Sequence, residues 1–595
     1  MNKLHTCVDL LNHIESSESN SKALNYRDSE GWHAISSQSM LDSVKHLSLG
    51  LHQLGLQKGD RVGILAHSSP NWTIADLAIL AAGGVTVTIF ANISDENFVY
   101  QVIETKLRII FFDDAETWKA CLLNQGLFDI AIDMHNYSSN YGSGNSPQHE
   151  KIITLANLIE QGKALEVKRP GLYNQIKATI KPEDLAVIIY TSGSTGVPKG
   201  VEVTQSSLSA VLHFDKFDLN SKKDSYLCVL PLAHVFGHCT NMWALAWGIS
   251  IYYTNDYKNL GAICREIQPT TMVVVPRLME KVYNRMVENV HSASFIKRMI
   301  GHWAFAMAKK EKGSFFKSLF KGVADKLVYS KLRDALGGKL HTVICGGAAL
   351  NPHLHNFFEN IGVPIYEGWG LTEACPLCIN LPKKNKIGTV GPPILEHKIM
   401  ISPEGEVLVK GPLIMRGYYC KPDITAKTLD QEGWMHTGDR GTIDSDNYLT
   451  LKGRMKELYK TSTGEYVAPV PIEQALTRNP LIDMAMVVAE GRKFTSCLIF
   501  PNFDAIARLK GQKRLQNMRD EEFLNSSAME KEMQKFMLHI NQHLNRAEQI
   551  HAYRFIMDPL SIEGGELTPS MKIRREIVAE KYSDVINAIY PQEET

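Results

Sequence analysis

Residues 190–200 read YTSGSTGVPKG and have the composition of a loop that holds phosphate. Hydroxyl side chains can donate hydrogen bonds to phosphate oxygens, glycines let backbone N–H groups approach, and Lys199 adds positive charge. The run is not a Walker loop, because no Gly-Lys-Ser/Thr ends it and Pro198 disfavours a helix immediately after it. We expect phosphate contacts from Thr191, Ser192, Gly193, Ser194, Thr195, Gly196 and Lys199.

These eleven residues resemble the signature loop of the adenylate-forming superfamily, which includes acyl-CoA synthetases, peptide-synthetase adenylation domains and luciferases. Four further elements resemble that family in the same order along the chain. They are PLAHVFG at 231–237, CGGAAL at 345–350 with YEGWGLTE at 366–373, WMHTGD at 434–439 with LKGRMKE at 451–457, and GELTPSMKIRR at 565–575. The resemblance covers most of the chain and implies that it uses ATP, Mg²⁺ and coenzyme A together with a carboxylic acid.

The first of these elements is implied to lie beside the acid substrate. His234 is expected near the reacting carboxyl group, and Phe236 near the acyl or adenylate pocket. A lone histidine in an apolar segment is typical of a core residue, so this assignment depends on the ordered context of the other elements.

The middle elements are implied to hold the nucleotide and the metal. Thr372 is expected to contact the α-phosphate and Glu373 to bind magnesium, because a carboxylate and a hydroxyl beside polyphosphate suit a hard cation. Trp369 offers a flat face for stacking. The nucleotide-binding residues implied here are Gly346, Gly347, Ala348, Glu367, Gly368, Trp369, Gly370 and Thr372.

The last elements are implied to complete the ribose site and the catalytic groups. Asp439 and Arg454 take the family's ribose contacts, and Lys456 falls at its hinge position. Lys460 belongs to a stretch that faces the site during thioester formation. Lys572 matches the lysine that bridges carboxylate and phosphate during adenylation, where its charge offsets the negative charge that develops at phosphorus.

The reaction implied is conversion of a carboxylic acid to acyl-CoA through an acyl-AMP intermediate, with release of AMP and pyrophosphate. The wording of YEGWGLTE, GRMKE and ELTPSMK is similar to the long-chain fatty acyl-CoA synthetase branch. Medium-chain, aryl and sterol-like acids stay open as substrates. The alternatives in function are an acyl-AMP ligase that loads an acyl carrier protein and a catalytically silent acyl-binding membrane scaffold, with a luciferase-like oxygenase more remote.

The composition is that of a soluble globular protein. Of 595 residues, 44% are hydrophobic and 22% charged, and 64 basic residues cancel 64 acidic ones, so no bulk charge indicates a nucleic-acid partner. The first twenty residues have no apolar core of a secretory signal, and the ten scattered cysteines fit reduced thiols, so we expect a cytoplasmic protein. The close pair Cys375 and Cys378 is interpreted as structural.

These residues must be positioned by an α/β fold. Amphipathic helical segments alternate with short β-branched runs such as 61–66, 85–89 and 109–112, which predicts largely parallel strands. We expect an N-terminal AMP-binding domain of several α/β subdomains over residues 1–455, and a small mobile α+β domain over 456–595. The run 135–150 has no periodicity and is predicted to be a mobile surface loop.

One segment suggests a membrane surface as a partner. Residues 295–333 hold ten Lys or Arg against two acidic residues, with aromatic residues interleaved. Such a segment suits a helix on an anionic membrane, which would make the protein peripheral on the inner face. The alternative is an amphipathic helical hairpin packed on the core with a solvated basic face.

Overall fold

The structure is a computed structural model that describes residues 4–135, 152–191, 198–309, 321–455, 459–561, 564–568 and 572–590. The predicted loop at 135–150 therefore lies, except for its first residue, outside the described residues. The chain divides into a larger compact unit, residues 1–402, 408–437 and 442–450, and a smaller one, residues 403–407, 438–441 and 451–595.

Strands recur along nearly the whole described chain. Their bounds are β1 Leu24–Arg27, β2 Trp32–Ile35, β3 Arg61–Leu65, β4 Val85–Ile89, β5 Ile109–Phe112, β6 Ile130–Asp133, β7 Ile152–Thr154, β8 Leu185–Thr191, β9 Lys199–Thr204, β10 Ser225–Cys228, β11 Ser250–Tyr253, β12 Thr271–Val274, β13 Thr342–Cys345, β14 Ile365–Leu371, β15 Ala374–Ile379, β16 Lys398–Ile401, β17 Glu406–Lys410, β18 Gly417–Tyr418, β19 Met435–Ile443, β20 Leu449–Arg454, β21 Tyr459–Lys460, β22 Tyr466–Val467, β23 Ile482–Val488, β24 Thr495–Pro501 and β25 Ile550–Phe555.

Helices separate most of the parallel strands. Their bounds are α1 Cys7–Ser16, α2 Ser37–Gln53, α3 Pro70–Ala81, α4 Asp95–Thr105, α5 Ala115–Leu123, α6 Leu155–Lys168, α7 Leu172–Lys177, α8 Gln205–Ala210, α9 Val235–Ala246, α10 Leu260–Ile267, α11 Pro276–His291, α12 Phe295–Ala308, α13 Ser330–Asp334, α14 Pro352–Ile361, α15 Pro422–Thr428, α16 Pro469–Leu476, α17 Phe503–Gln512, α18 Asp520–Leu524, α19 Ser527–Asn541, α20 Arg575–Lys581 and α21 Ser583–Ile589.

The larger unit contains two eight-stranded sheets. One has the order β18-β9-β8-β4-β3-β5-β6-β7, and the other the order β15-β14-β13-β12-β10-β11-β1-β2. In the first sheet the pairs from β8 to β7 are parallel, while β9 joins β8 antiparallel and β18 joins β9 antiparallel. In the second the pairs from β14 to β1 are parallel. The predicted α/β architecture with mostly parallel sheets is confirmed.

Two apolar helices, α3 and α9, lie in the interior of the larger unit. Nearly every side chain of both helices is buried, which agrees with their lack of a polar face. The polar residues on them are paired: His238 Nε2 lies 2.9 Å from Asp76, and Thr86 donates to the same carboxylate at 2.7 Å. Helix α9 carries the predicted acid-site element at its N-terminus, so that element stands on a rigid support.

The smaller unit has its own hydrophobic core. Strands β23-β24-β25 form a three-stranded sheet, with β23 antiparallel and β25 parallel to β24. One face of β24 packs on helices α16 to α19 around Ile499, and the other packs on α20 and α21 around Phe500. The alternation of these two core residues along one strand follows from the period of two in β structure.

A four-stranded sheet has the order β16-β17-β19-β20. Both β19 and β20 carry residues that the sequence assigns to the ribose site, Asp439 and Arg454 respectively.

Candidate active site

The two strands that flank the predicted phosphate loop are neighbours in the first sheet. Thr191 ends β8 and Lys199 begins β9, and the two residues are paired in the antiparallel register. Ser192, Gly193, Ser194, Thr195 and Gly196 lie outside the described residues. Pro198 leads into a strand rather than a helix, as the sequence predicts. The residues on either side of the loop therefore both lie at the carboxyl end of β8.

Thr372 and Glu373 form the tight turn between β14 and β15, because Leu371 pairs with Ala374. The Glu373 carboxylate accepts a hydrogen bond from the Tyr418 hydroxyl at 2.6 Å. The ammonium of Lys199 lies 5.5 Å from the centroid of the same tyrosine ring, within the range of a cation–π contact. Tyr418 thus links the predicted metal ligand to the predicted phosphate-loop lysine.

A second link holds the start of the loop. Both oxygens of Glu104 accept hydrogen bonds: Oε1 from Tyr100 at 2.6 Å and Lys421 at 2.7 Å, and Oε2 from Tyr190 at 2.7 Å. The carboxylate of Glu104 and the hydroxyl of Tyr100 raise the pKa of Lys421. Tyr190 immediately precedes Thr191, so this network fixes the backbone at the point where the loop begins.

Tyr418, Lys421 and Glu104 were not identified from the sequence. Their roles depend on the short strand β18, which pairs with β9, and the neighbouring ion pair Arg416–Glu202 joins residues 214 positions apart. No local periodicity signals such a pairing. The one usable sign in the sequence is the GYYCK run itself, a pair of aromatic residues beside a lysine.

The predicted adenine-side loop follows β13 and lies against two other predicted segments. A side-chain Cβ at Gly346 would come within 3.1 Å of the Gly368 carbonyl oxygen and 3.2 Å of the Phe236 ring, so the backbone approaches both closely and a small residue is favoured. Gly347 has φ +83°, which also favours glycine. The structure therefore brings the Gly346–Ala348 loop together with β14 and the start of α9.

Two residues of β14 are enclosed rather than presented on the surface. Trp369 and Glu367 are 8% and 4% exposed. The Glu367 carboxylate accepts a hydrogen bond from the Leu350 N–H at 3.0 Å, which ties β14 to the end of the adenine-side loop. Burial raises the pKa of Glu367 to about 7.

His234 is half-buried at the N-cap of α9. Its Nδ1 accepts a hydrogen bond from the Phe236 N–H at 3.2 Å, so Nδ1 is the unprotonated nitrogen in this arrangement. An N-cap histidine stands at the positive end of the helix dipole, where a substrate carboxylate is favoured. The placement agrees with the predicted role beside the acid, which stays a prediction.

The smaller unit holds the remaining predicted residues. Arg454 Nε lies 3.1 Å from Oδ1 of the buried Asp439, and Gly438 N donates to Glu406 at 2.9 Å beside it. Lys460 pairs with Tyr466 in a hairpin, its ammonium 6.0 Å from that ring. The predicted hinge residue at 456 lies outside the described residues.

Lys572 is an exposed residue whose backbone pairs with that of Thr568. Its N–H donates to Thr568 Oγ1 at 3.0 Å, and its carbonyl accepts from the Thr568 N–H at 2.8 Å. The following residues are held to the body of the unit by Arg575, which makes a bidentate contact with Glu473.

No cluster of carboxylates surrounds Glu373 in the part of the chain that the structure describes. Among the described residues, the one group of three side chains close enough to share an ion is His67, Asp113 and Asp114, at the carboxyl ends of β3 and β5. A magnesium ion that arrives with ATP needs few protein ligands, because it keeps waters and phosphate oxygens. Cys375 and Cys378 are buried free thiols in β15, in agreement with their structural interpretation.

Comparison with known proteins decides the family. The sequence model described as "AMP-binding enzyme" matches residues 14–419, and the model described as "AMP-binding enzyme C-terminal domain" matches residues 457–594. The chain belongs to the AMP-binding enzyme family. The resemblance to the adenylate-forming superfamily, and the interpretation of the chain as an enzyme, are confirmed.

Curated relatives of this AMP-binding enzyme match over almost its whole length. Long-chain-fatty-acid–CoA ligase FadD15 of Mycobacterium tuberculosis is 32% identical over 573 residues, which cover 94% of this chain and 93% of that protein. Human long-chain-fatty-acid–CoA ligase ACSBG1 is 28% identical, covering 96% of this chain and 83% of that protein.

Solved structures share the fold. The adenylation domain of a carboxylate reductase from Mycobacterium chelonae superposes with a TM-score of 0.78 at 21% identity, covering 98% of this chain and 91% of that one. The anthranilate CoA ligase AuaEII in complex with anthranoyl-AMP gives a TM-score of 0.70 at 17% identity, covering 99% of each chain.

Proposed function

We propose that this AMP-binding enzyme is a long-chain fatty acid–CoA ligase, which converts a fatty acid, ATP and coenzyme A to acyl-CoA, AMP and pyrophosphate. The observation that carries the proposal is the 32% identity to a long-chain-fatty-acid–CoA ligase over 94% of the chain. The linked trio of Lys199, Tyr418 and Glu373 supports it, because a cation and a carboxylate beside a phosphate loop suit bound ATP.

In the first step a carboxylate oxygen of the fatty acid attacks the α-phosphorus of ATP. A bond forms between that oxygen and phosphorus, and the bond to the bridging oxygen breaks, so pyrophosphate leaves with its electron pair. We assign Lys572 to charge stabilisation at the reacting phosphate and Thr372 to orientation of the α-phosphate. His234 orients the acid, and Lys199 holds the polyphosphate. A magnesium ion held by Glu373 would neutralise charge on the phosphate oxygens.

In the second step the thiol of coenzyme A attacks the acyl carbon of the adenylate. The carbon–sulfur bond forms, the bond from the acyl carbon to the phosphate oxygen breaks, AMP leaves with that electron pair, and the thiol proton is released to water. No protein nucleophile is needed, since the adenylate is already an activated acid. We assign Asp439 and Arg454 to the ribose and the Lys460 hairpin to the thioester step.

We further propose that residues 456–595 act as a mobile domain that supplies Lys572 in the first step and the Lys460 hairpin in the second. The match of a separate family model to residues 457–594 supports a boundary near residue 455. Exchange of catalytic groups by domain movement is a general way to run two reactions in one site.

The test is release of pyrophosphate and AMP with Mg²⁺-ATP and an acid panel from acetate to oleate, with and without coenzyme A. We expect AMP turnover with long-chain acids that depends on coenzyme A. Lys572→Ala should slow adenylation roughly a hundredfold or more, because it removes preorganised charge stabilisation. Lys531→Ala, which removes an exposed lysine from α19, is the matched control and should leave the rate unchanged.

Each other outcome identifies an alternative. Formation of one equivalent of pyrophosphate, with no effect of coenzyme A and turnover restored by an acyl carrier protein, would indicate an acyl-AMP ligase. Turnover with short or aryl acids alone would contradict the fatty-acid assignment. Release of neither pyrophosphate nor AMP with any acid would favour the acyl-binding scaffold.

We also propose that the enzyme docks on anionic membrane through α12. Phe295, Ile296 and Met299 are 67%, 70% and 58% exposed, whereas the opposite side of the helix is packed on the core through Ala304 and Phe305. The surrounding excess of Lys and Arg, ten against two acidic residues over 295–333, complements an anionic surface. Among the described helices, none is long and apolar enough to cross a bilayer.

Liposome co-sedimentation tests this docking. Ile296→Glu with Met299→Glu should abolish sedimentation with anionic vesicles, because both charges would enter the acyl boundary. Val167→Glu, at an apolar residue that is 81% exposed on α6, is the matched control. Unchanged sedimentation of the double variant would refute the proposal. If the wild-type protein dimerises with rising concentration and the double variant does not, the exposed apolar residues of α12 contact a second copy of the chain instead.

A further inference from the structure

Tyr418 stands between two groups that the proposed mechanism uses on the same ligand. Its hydroxyl donates to Glu373 Oε1 at 2.6 Å, a distance typical of a strong hydrogen bond to a charged acceptor. Its ring lies 5.5 Å from the Lys199 ammonium. One rigid side chain therefore sets the separation of a carboxylate and a cation that come from different sheets.

The hydrogen bond from Tyr418 restricts Glu373 in a way that matters for metal binding. Glu373 lies in a two-residue turn and is half-buried. A donor on Oε1 restricts the rotation of the carboxylate. Groups that orient a metal-binding carboxylate in this way affect metal affinity strongly.

The segment that carries Tyr418 is itself fixed to both ends of the phosphate loop. Gly417 and Tyr418 pair with β9, and the Tyr419 N–H donates to the Gly200 carbonyl at 2.7 Å, one residue after Lys199. Lys421 reaches Glu104, which holds Tyr190 at the start of the loop. We name residues 416–421 the strap.

We propose that Tyr418, held in the strap, is a positioning residue that sets Glu373 and Lys199 for Mg²⁺-ATP. The inference rests on the proposed function, since it takes Glu373 as the metal ligand and Lys199 as a phosphate contact. It assigns to Tyr418 no contact with the reacting atoms. The strap can position both Glu373 and Lys199 because it is bonded to the flanks of the predicted phosphate loop and, through Tyr418, to Glu373.

A purely structural role for Tyr418 predicts different behaviour. The side chain is buried in the main hydrophobic core, and its N–H donates to Thr425 Oγ1 at 2.8 Å. Loss of packing alone would lower the melting temperature and leave the magnesium dependence of ATP binding unchanged. The magnesium dependence of ATP binding therefore distinguishes a positioning role from a purely structural role, whereas a loss of activity does not.

The test is calorimetric titration of the full-length enzyme with a non-hydrolysable ATP analogue over a range of Mg²⁺ concentrations. Tyr418→Phe removes the hydroxyl and keeps the ring, and we expect the Mg²⁺ concentration for half-maximal ATP affinity to rise roughly tenfold. The matched control is Tyr448→Phe, because that hydroxyl donates to the Lys384 carbonyl and that ring has Lys386 at 5.4 Å. The control should titrate like wild type.

A double-variant cycle adds a second readout. Glu373→Gln alone should raise the Mg²⁺ concentration for half-maximal ATP affinity. Tyr418→Phe on that background should raise it little further, because the two residues act as one unit. Additive effects, or a wild-type titration for Tyr418→Phe, would overturn the inference. If Tyr418→Phe lacks a melting transition, Thr425→Val shifts the strap without touching Glu373 and should weaken magnesium-dependent ATP binding in the same direction; an unchanged titration there also overturns it.

Failure of the inference and failure of the proposed function are distinguishable. Wild-type enzyme that forms acyl-CoA while Tyr418→Phe shows normal magnesium dependence refutes the positioning role alone. Wild-type enzyme that binds no ATP analogue at any Mg²⁺ concentration refutes both.

Discussion

Glu367 is a buried carboxyl group in a segment that the sequence assigns to nucleotide binding. It lies within β14, 4% exposed, and its carboxylate accepts a hydrogen bond from the Leu350 N–H. Its Oε2 accepts no hydrogen bond from the residues that the structure describes. The charged form is therefore poorly solvated, and burial raises the pKa of the group to about 7.

Glu367→Gln is expected to raise the stability of the ligand-free enzyme at alkaline pH. The carboxyl group is protonated in both states below its ordinary pKa of 4.5, so no penalty exists there. The penalty grows as pH rises from 4.5 to about 7 and is constant above that value. We expect a gain on the order of 1–3 kcal/mol at pH 8, which shrinks toward pH 5. Urea unfolding at both pH values measures it, and an equal gain at both would contradict the assigned cause.

The sequence predicts residues whose role depends on local features. It does not predict residues whose partners are distant in the sequence and are brought close by strand pairing. Gly346 and Gly347 could be predicted because a run of small residues indicates that the backbone approaches another group closely. Tyr418 and Glu104 could not, because their partners Glu373 and Tyr190 are brought to them by the pairing of β18 with β9 and by α4. The burial of Glu367 and Trp369 also depends on β15, which covers β14.

At the scale of elements, the carboxyl ends of β3 and β5 are joined by an ion cluster. His67 follows β3, and Asp113 and Asp114 follow β5; His67 Nδ1 lies 3.3 Å and 3.2 Å from their carboxylates. Hydrogen bonds that His67 donates to Asp113 and, second, to Asp114 raise the pKa of the imidazole to about 10. Asp114 also caps α5 through the N–H of Thr117, so the cluster connects two strands and a helix.

His67→Gln is expected to destabilise the protein in a pH-dependent manner. The pKa of His67 rises from 6.5 to about 10 on folding, so its contribution is fully present below pH 6.5 and is lost as pH approaches 10. His67 is 40% exposed, and screening by solvent reduces the effect to about 1 kcal/mol. The measurement is the difference in unfolding free energy from wild type at pH 6 and pH 10. His33→Gln, in the exposed His33–Asp28 pair, is the control.

Strands β4 and β5 fall within the runs predicted from β-branched composition, and β3 within one residue of its run. Fully buried parallel strands have continuous apolar runs, which is why they are visible in a sequence. Short strands such as β18 and β21 carry no such run, and their pairing is set by partners far along the chain.

At the scale of the whole molecule, the chain consists of two compact units with separate cores. The cores of the smaller unit draw on residues 467 to 589 and include Ile499 and Phe500 on opposite faces of β24. Lys460 and Lys572 both belong to this unit, whereas Lys199 and Glu373 belong to the larger one. The proposed chemistry therefore needs groups from both units.

A fragment of residues 459–595 is expected to fold on its own. Its sheet and both helical layers close a core without residues from the rest of the chain. Circular dichroism should show helix and strand with a cooperative melting transition, and Ile499→Asp, at a fully buried position, should abolish that transition. A fragment without ordered secondary structure would contradict the assignment of an independent core.

The strap also carries a chemical handle. Nine of the ten cysteines are buried, and the exposed one is Cys420, two residues after Tyr418. A thiol-reactive fluorophore should therefore label the native chain at this one position, with no engineered cysteine. Because the strap connects the flanks of the predicted phosphate loop to Glu373, we expect the emission of that dye to change when nucleotide binds and when it leaves during turnover.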